Sequence, residues 1–269
     1  MVTTVVQDFE DGSVPSAVTI EDSAFGVFQQ PFARGSYCLG PENGGNGNQA
    51  LKATWQEPDL DPAGLAVSRV RARMYETSSQ SGSGLLCIGP DGATIAGIGS
   101  NNNQWNIRSG DDDHEEIYGG DNYEVWLDYI FEFDWTNGEV TFDITDPASG
   151  HNERVTRTML NNPGALGWVE LRGGLWDSDQ RYHWWDDLEI DLPDKVQVSG
   201  TVKEGGSTAA RDVFVYATDL QTMIASGTSA SDGTYNLKFR TRFTKGFVIA
   251  KGSSGFRSMA HGPVEFAAT

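Results

Sequence analysis

The chain has 269 residues, 38% of them hydrophobic and 11% aromatic, and a formal net charge of −19. That supply of apolar side chains suffices for one large and one small core, and no stretch approaches the ~20 apolar residues of a membrane span, so a disordered, collagen-like or membrane-inserted chain is not expected. The charge changes character at Pro193: residues 1–194 hold 33 acidic and 10 basic side chains and residues 195–269 hold 5 and 9, and the strongly anionic part would repel phosphate backbones and anionic lipid, which argues against nucleic-acid or membrane partners.

Residues 1–10 carry neither a basic segment nor a long apolar run, so no export signal is expected. Short alternating runs broken by Gly, Asn, Asp and Ser predict strands at 2–8, 18–21, 49–55, 69–74, 84–88, 94–98, 104–108, 123–133, 167–171 and 185–192. Within 69–74, Arg69, Arg71 and Arg73 alternate with Val70, Ala72 and Met74, which gives one basic face. Cys38 and Cys87 sit among apolar neighbours without metal spacing and read as buried free thiols.

Asn137-Gly138 predicts a hairpin with a two-residue turn. That pairing sets Trp135 opposite Val140, Phe133 opposite Phe142 and Phe131 opposite Ile144 on an apolar face. On the other face it sets Glu132 opposite Asp143 and Asp134 opposite Thr141, so that face needs water, arginines or a cation. Trp126 and Trp135 read as core. One helical turn is expected near 155–160. The closing strand offers Asp187, Glu189 and Asp191 at a period of two. Ion pairs between the arginine stripe and one of the acidic stripes are the expectation, two separately solvated faces the alternative.

After Leu192-Pro193-Asp194 a second β pattern follows at 196–202, 213–217, 223–226, 235–239 and 247–250, with turns at Gly205-Gly206-Ser207 and Ser231-Asp232-Gly233. The expected fold is all-β: an antiparallel jelly-roll sandwich over 1–193 followed by a small Ig-like or transthyretin-like β-sandwich over 194–269.

Four pieces of the first unit carry a resemblance: Asp8-Phe9-Glu10-Asp11-Gly12, Ala33-Arg34-Gly35-Ser36, the run Trp126 to Gly138, and Trp185-Asp186-Asp187-Leu188-Glu189-Ile190. On them residues 1–193 resemble the laminin-G-like and concanavalin-A-like jelly rolls of lectins and carbohydrate-binding modules. Residues 196–262 resemble a transthyretin-like or carboxypeptidase-regulatory-like module through Val198–Val202, Ala210–Tyr216 and Ser231–Leu237. Modules of this kind, including a closing Gly262-Pro263-Val264, recur in virion proteins of tailed bacteriophages.

The first resemblance implies a structural calcium where the chain's first and last strands meet, with Asp8, Glu10 and Asp187 in the matching places; the alternative is that these are ordinary strand-edge charges. Asp111-Asp112-Asp113-His114-Glu115-Glu116 lacks the spacing of a calcium loop and reads as a solvated run, with a rim cation site as the sharper alternative. A glycan needs an aromatic ring beneath its C–H face and polar groups beside it. Trp176, Tyr182 and Trp184 around Asp177 and Asp179 meet that description, and Trp105 beside three asparagines is a second candidate; burial or a subunit contact is the other reading. Trp184 and Trp185 are adjacent and must face opposite sides of a strand, so at most one is core.

Glu132-Phe133-Asp134 and Glu189-Ile190-Asp191 partly match the paired carboxylates of retaining glycosidases, but Thr136 and Pro193 stand where a third acid belongs. His114, His151, His183 and His261 show no ligand spacing. The expectation is therefore a non-enzymatic bacteriophage virion protein of the tail or a surface appendage. It would be made in the host cytoplasm, associate with other virion proteins and with itself, and present its jelly roll to a host glycan. A cellular surface carbohydrate-binding module and a glycan-cleaving enzyme are the alternatives.

Overall fold

Alternation of apolar and polar side chains governs the chain in a computed structural model, which describes residues 3–21, 25–30, 35–41, 52–57, 60, 65–76, 82–101, 104–112, 115–119, 124–173, 183–218, 220, 223–253 and 257–269. Two compact units are present, Thr3–Leu192 and Pro193–Thr269.

The first unit contains β1 (Thr3–Gln7), β2 (Val18–Ile20), β3 (Phe25–Gln29), β4 (Tyr37–Pro41), β5 (Lys52–Trp55), β6 (Arg69–Glu76), β7 (Gly82–Ile88), β8 (Thr94–Asn101), β9 (Gln104–Arg108), β10 (Glu115–Gly119), β11 (Val125–Asp134), β12 (Glu139–Asp146), β13 (His151–Thr158), β14 (Trp168–Gly173) and β15 (His183–Leu192). One sheet runs β13-β12-β11-β6-β15-β4-β3, with β1 also on β15; the other runs β10-β9-β8-β7-β14-β5-β2. Every pairing is antiparallel, and the inward side chains of both sheets form one core that includes Trp55, Trp105, Tyr129, Phe131, Phe142 and Trp185. This is an antiparallel jelly-roll sandwich.

The order of the first sheet follows from its outward face. β6 lies between β11 and β15, so each arginine of its stripe has an acidic strand on either side. Arg71 lies 2.8 Å from Asp128 on β11 and 2.9 Å from Glu189 on β15. Arg73 lies 2.7 Å from Asp128 and pairs with Asp187. Arg69 lies 3.2 Å from Glu189, and its Nε sits 3.0 Å from Asp191 as an ion pair without hydrogen-bond alignment. The expected ion pairs thus form, and they engage carboxylates on both neighbouring strands. The second sheet repeats the device: Glu170 is nearly buried, 3.0 Å from Lys52 and hydrogen-bonded by Arg172. Burial alone would raise the Glu170 carboxyl, but the Lys52 hydrogen bond and the Arg172 charge hold it below the usual glutamate range.

Three expectations are corrected. The β11–β12 hairpin pairs Phe133 with Val140, Phe131 with Phe142 and Tyr129 with Ile144, two residues away from the expected register, because its turn takes four residues, 135–138. Asp134 organises that turn: its carboxylate accepts from the amides of Thr136 and Asn137, and its carbonyl accepts from Gly138, whose φ is +70°. A shift of two keeps every side chain on its face, so the apolar side still covers the core. Glu132 therefore faces Thr141, and Arg154 of β13 bridges Glu132 and Asp143. Second, residues 155–158 belong to a strand, not to the expected helical turn, since β13 pairs with β12 along its whole length. Third, Trp126 faces outward, because Leu127, Tyr129 and Phe131 take the core side of β11; Trp135 is core, with Nε1 donating to the Val67 carbonyl at 2.6 Å.

A bulge keeps β15 in phase. Trp185 pairs with Met74 and Ile190 with Val70, all inward, yet five steps on β15 are matched by only four on β6. The extra residue is absorbed between Asp186 and Glu189, where Asp187 takes φ +46°. Without it Trp185 and Glu189 would share a face.

The second unit contains β16 (Lys195–Thr201), β17 (Lys203–Glu204), β18 (Ser207–Thr208), β19 (Asp212–Ala217), β20 (Met223–Thr228), β21 (Thr234–Arg240), β22 (Lys245–Ala250), β23 (Met259–Glu265) and β24 (Ala267–Ala268). Sheets β21-β16-β24 and β20-β19-β22-β23, with the β17-β18 hairpin, enclose a small core of Val198, Val202, Val213, Val215 and Val248.

Cys38 and Cys87 are free and fully buried. Burial, then the charges of Asp186 and Glu10, pushes the Cys38 thiol up to about 12, and burial pushes Cys87 well up. The folded state therefore favours the neutral thiols; that contribution is whole below the ordinary thiol range and fades as pH rises through it towards about 12. The native protein should leave a thiol reagent unreacted at pH 8 and release two equivalents on denaturation; rapid native labelling would contradict the burial. Arg71→Ala should cost about 2–4 kcal/mol in urea unfolding, because it leaves two largely buried carboxylates without their shared cation. A loss under about 0.5 kcal/mol would mean that solvent already screens the ladder.

Candidate functional site

Outward side chains of β11, β6 and β15 fall into cross-strand rows. The charged rows are Glu132-Arg69-Asp191, Ile130-Arg71-Glu189 and Asp128-Arg73-Asp186. The next row along is aromatic: Trp126, Tyr75 and Trp184. Tyr75 lies 5.4 Å from Trp126 and 6.4 Å from Trp184 between ring centroids, the first pair tilted and the second edge-on. Tyr75 and Trp126 are half-buried, whereas Trp184 is 4% exposed. Burial, then the Glu124 charge, raises the Tyr75 phenol, so its hydroxyl keeps its proton at neutral pH.

Trp184 is packed down by β4. A Cβ on Gly40 would come within 2.2 Å of the Trp184 ring, so only glycine lets that strand lie so close. The result is two part-exposed rings on a rigid sheet, directly beside the Arg73–Asp128 pair. Such a surface can take the C–H face of a sugar ring, with charged hydrogen-bonding groups one row away.

The sequence-predicted residues are distributed as follows. Trp184 and Trp185 do face opposite sides, Trp185 in the core and Trp184 outward beneath Tyr75. Trp105 is fully buried in the core, 5.4 Å from the His151 ring, and has no free face for a ligand; the expectation that it faces a glycan is corrected, because both sheets of the sandwich close over it. Trp176, Asp177, Asp179 and Tyr182 lie outside the described residues, as do Asp113 and His114. The rest of that acidic run is structural: Asp111 accepts from the Thr158 amide at 2.9 Å and Glu115 pairs with Arg157. Tyr75 and Trp126 are the residues sequence reasoning missed. Counting by twos from Phe133 along 123–133 puts Trp126 on the face opposite the core.

The three carboxylates expected to hold calcium have other partners. Both Glu10 carboxylate oxygens accept from the Ser36 amide, at 3.1 and 2.9 Å. Gly35 makes this approach possible, since a Cβ there would overlap the Glu10 carboxylate. Asp8 accepts from the Glu10 amide at 3.3 Å, and Asp187 is paired with Arg73. Among the described residues no three His, Cys, Asp or Glu side chains gather as a metal site would require. Calcium takes six to eight oxygens, and Asp8, Glu10 and Asp187 as placed do not form such a set. The acid pairs are equally committed: Glu189 and Asp191 are bound by the arginine ladder, and Glu132 by Arg154.

No family model matches the chain, and no curated protein is similar to it in sequence. Among solved structures it is similar to a sialidase, at a TM-score of 0.52 and 8% identity, over 70% of this chain and 18% of that one. It is also similar to an apo Crh5 transglycosylase (TM-score 0.47, 13% identity, 70% of this chain and 83% of that one). A third is the CBM2 module of the evolved Dit of Lactobacillus casei BL23 phage J-1 (0.45, 13%, 71% and 96%). At these identities the likeness is one of fold, and the chain spans less than a fifth of the sialidase. No described helix is long and apolar enough to cross a membrane.

Returning millimolar calcium to chelator-treated protein should leave the thermal midpoint within about 1 °C, since Asp8, Glu10 and Asp187 as placed offer a cation no joint ligand set. A rise of several degrees would place a cation on this chain.

Proposed function

We propose that this chain is a non-enzymatic glycan-binding protein of a bacteriophage virion, in a tail or surface appendage, whose jelly roll holds a host sugar on the outward face of its larger sheet. The observation that carries the reading is the Trp126–Tyr75 pair: two part-exposed rings held in register by β11 and β6, beside the charged Arg73–Asp128 row. Flat aromatic surface with adjacent polar groups is what a saccharide needs, and it is retained here in a unit whose other aromatic rings largely fill the core.

Absence of turnover is part of the proposal. The carboxylate pairs two apart on β11 and β15 are the natural candidates for a glycosidase, and they are committed elsewhere: Glu189 and Asp191 to the arginines of β6, Glu132 to Arg154, and Asp134 to the amides of its own turn. The virion assignment rests on the likeness of Val198–Val202, Ala210–Tyr216, Ser231–Leu237 and Gly262-Pro263-Val264 to modules of phage particles. On this reading other virion proteins and further copies of the chain are its partners.

On a glycan array the full chain should bind a defined set of sugars, and Trp126→Ala should weaken that binding about tenfold, the equivalent of ~1.4 kcal/mol, while leaving the unfolding midpoint unchanged. Equal binding by the variant would remove the aromatic row from the site. Mass spectrometry of purified particles should detect the chain at stoichiometric copy number; its absence from them would end the virion reading.

A further inference from the structure

The small unit contains a recess of its own, about 190 Å3 in volume, bounded by the β16–β17 segment and the ends of β22 and β23. That is below the ~300–1,000 Å3 of a drug-sized ligand site and suits a single ring. Its floor is apolar, made by Val202, Val248 and Tyr235; its walls carry Lys203, Arg211, Lys251 and Arg257. Burial raises the Tyr235 phenol, so the floor is uncharged at neutral pH.

Glu204 is the one carboxylate in this lining, and it is already engaged. Arg211 pairs with it, the Ser253 amide donates to it at 2.9 Å, and the Ser253 hydroxyl reaches its two oxygens at 2.9 and 3.0 Å. The other cations are not balanced. Among the described residues Lys203, Lys251 and Arg257 have no acidic side chain within ion-pair distance. Arg211 adds a buried Nε that has no hydrogen-bond partner. Three uncompensated positive charges around a small concavity repel one another and focus a positive potential into it, which an anionic group relieves.

The two halves of the lining together define the ligand. An inorganic anion would use the cations and leave the floor wet. A neutral sugar would use the floor and leave the charges unmatched. We infer that the recess binds a carboxylate-bearing sugar unit of the uronate type, its ring on Val202, Val248 and Tyr235 and its carboxylate towards Lys203, Lys251 and Arg257. The site lies wholly within Pro193–Thr269 and does not depend on the reading of the jelly roll.

Ligand-observed saturation-transfer NMR on the full chain tests this with three probes: glucuronate, the uncharged isostere glucuronamide, and inorganic phosphate. Glucuronate should bind. Glucuronamide should bind at least about tenfold more weakly, and so should glucuronate to the double variant Lys251→Gln/Arg257→Gln, because charge-assisted contacts supply the difference. Both side chains are exposed, so the fold should be unaffected, and the comparison of the two probes on the unaltered chain stands regardless. Trp126→Ala should leave glucuronate binding intact, which separates this site from the jelly-roll surface. Equal affinity for glucuronate and glucuronamide would overturn the inference. So would phosphate displacing glucuronate at equal concentration. A failure of glucuronate to bind, together with loss of self-association in the double variant, would overturn it in favour of a protein carboxylate as occupant.

Discussion

Three arginines on one strand make the larger sheet possible. The first 194 residues carry a large excess of carboxylates, and β11 and β15 both turn acidic side chains outward. Placed next to each other, those strands would set like charges face to face across a ladder, which opposes pairing. β6 separates them: Arg71 and Arg73 answer carboxylates on both sides and Arg69 those of β15, with side chains that are mostly out of water. A planar guanidinium can satisfy two carboxylates at once in a way that a lysine ammonium does not. The strand order is therefore an electrostatic solution as much as a hydrophobic one.

The aromatic row depends on that ladder. Trp126, Tyr75 and Trp184 come from three strands far apart in sequence, and they align because the charged rows beside them fix the register. The bulge at Asp187 is the second condition. It lets Trp185 stay in the core while Glu189 and Asp191 stay with the arginines, and Arg73 holds the carboxylate of the bulged residue. A left-handed backbone at a residue with a side chain is costly. Here the carboxylate of that residue is anchored by the neighbouring strand. Charge pairing, backbone strain and the exposed rings are thus parts of one arrangement.

The two units solve the electrostatic problem differently. In the jelly roll the buried carboxylates Asp128 and Glu170 each have a partner of opposite sign on an adjacent strand. In the small unit Arg211 and Glu204 form a pair, but Lys203, Lys251 and Arg257 line a recess with no acidic partner among the described residues. Leaving cations uncompensated has a cost in self-repulsion, and its location around a concave, half-apolar surface is what distinguishes it from ordinary surface charge.

Much of this was legible from local pattern alone. The period-two alternation of Arg69–Met74 and of Phe131 and Phe133 assigned strands and faces correctly, because a side chain's face depends only on its own strand's geometry. Even the hairpin misjudged by two residues kept its faces, since an even shift preserves parity. β13 escaped because HNERVTRT has no apolar stripe; as an edge strand it is held by its ladder to β12 with the Thr141–Thr156 and Arg154 contacts, and Val155 packs on the core. Trp105 escaped for the opposite reason: its asparagine neighbours look like surface, and only closure of the second sheet over it puts it inside. Sequence by itself determined the β class, the charge asymmetry and the stripes available for pairing. Tertiary structure alone decided which stripes met, which rings stayed exposed, and that Glu10 would bind a backbone turn, because those outcomes depend on contacts between residues tens to more than a hundred positions apart.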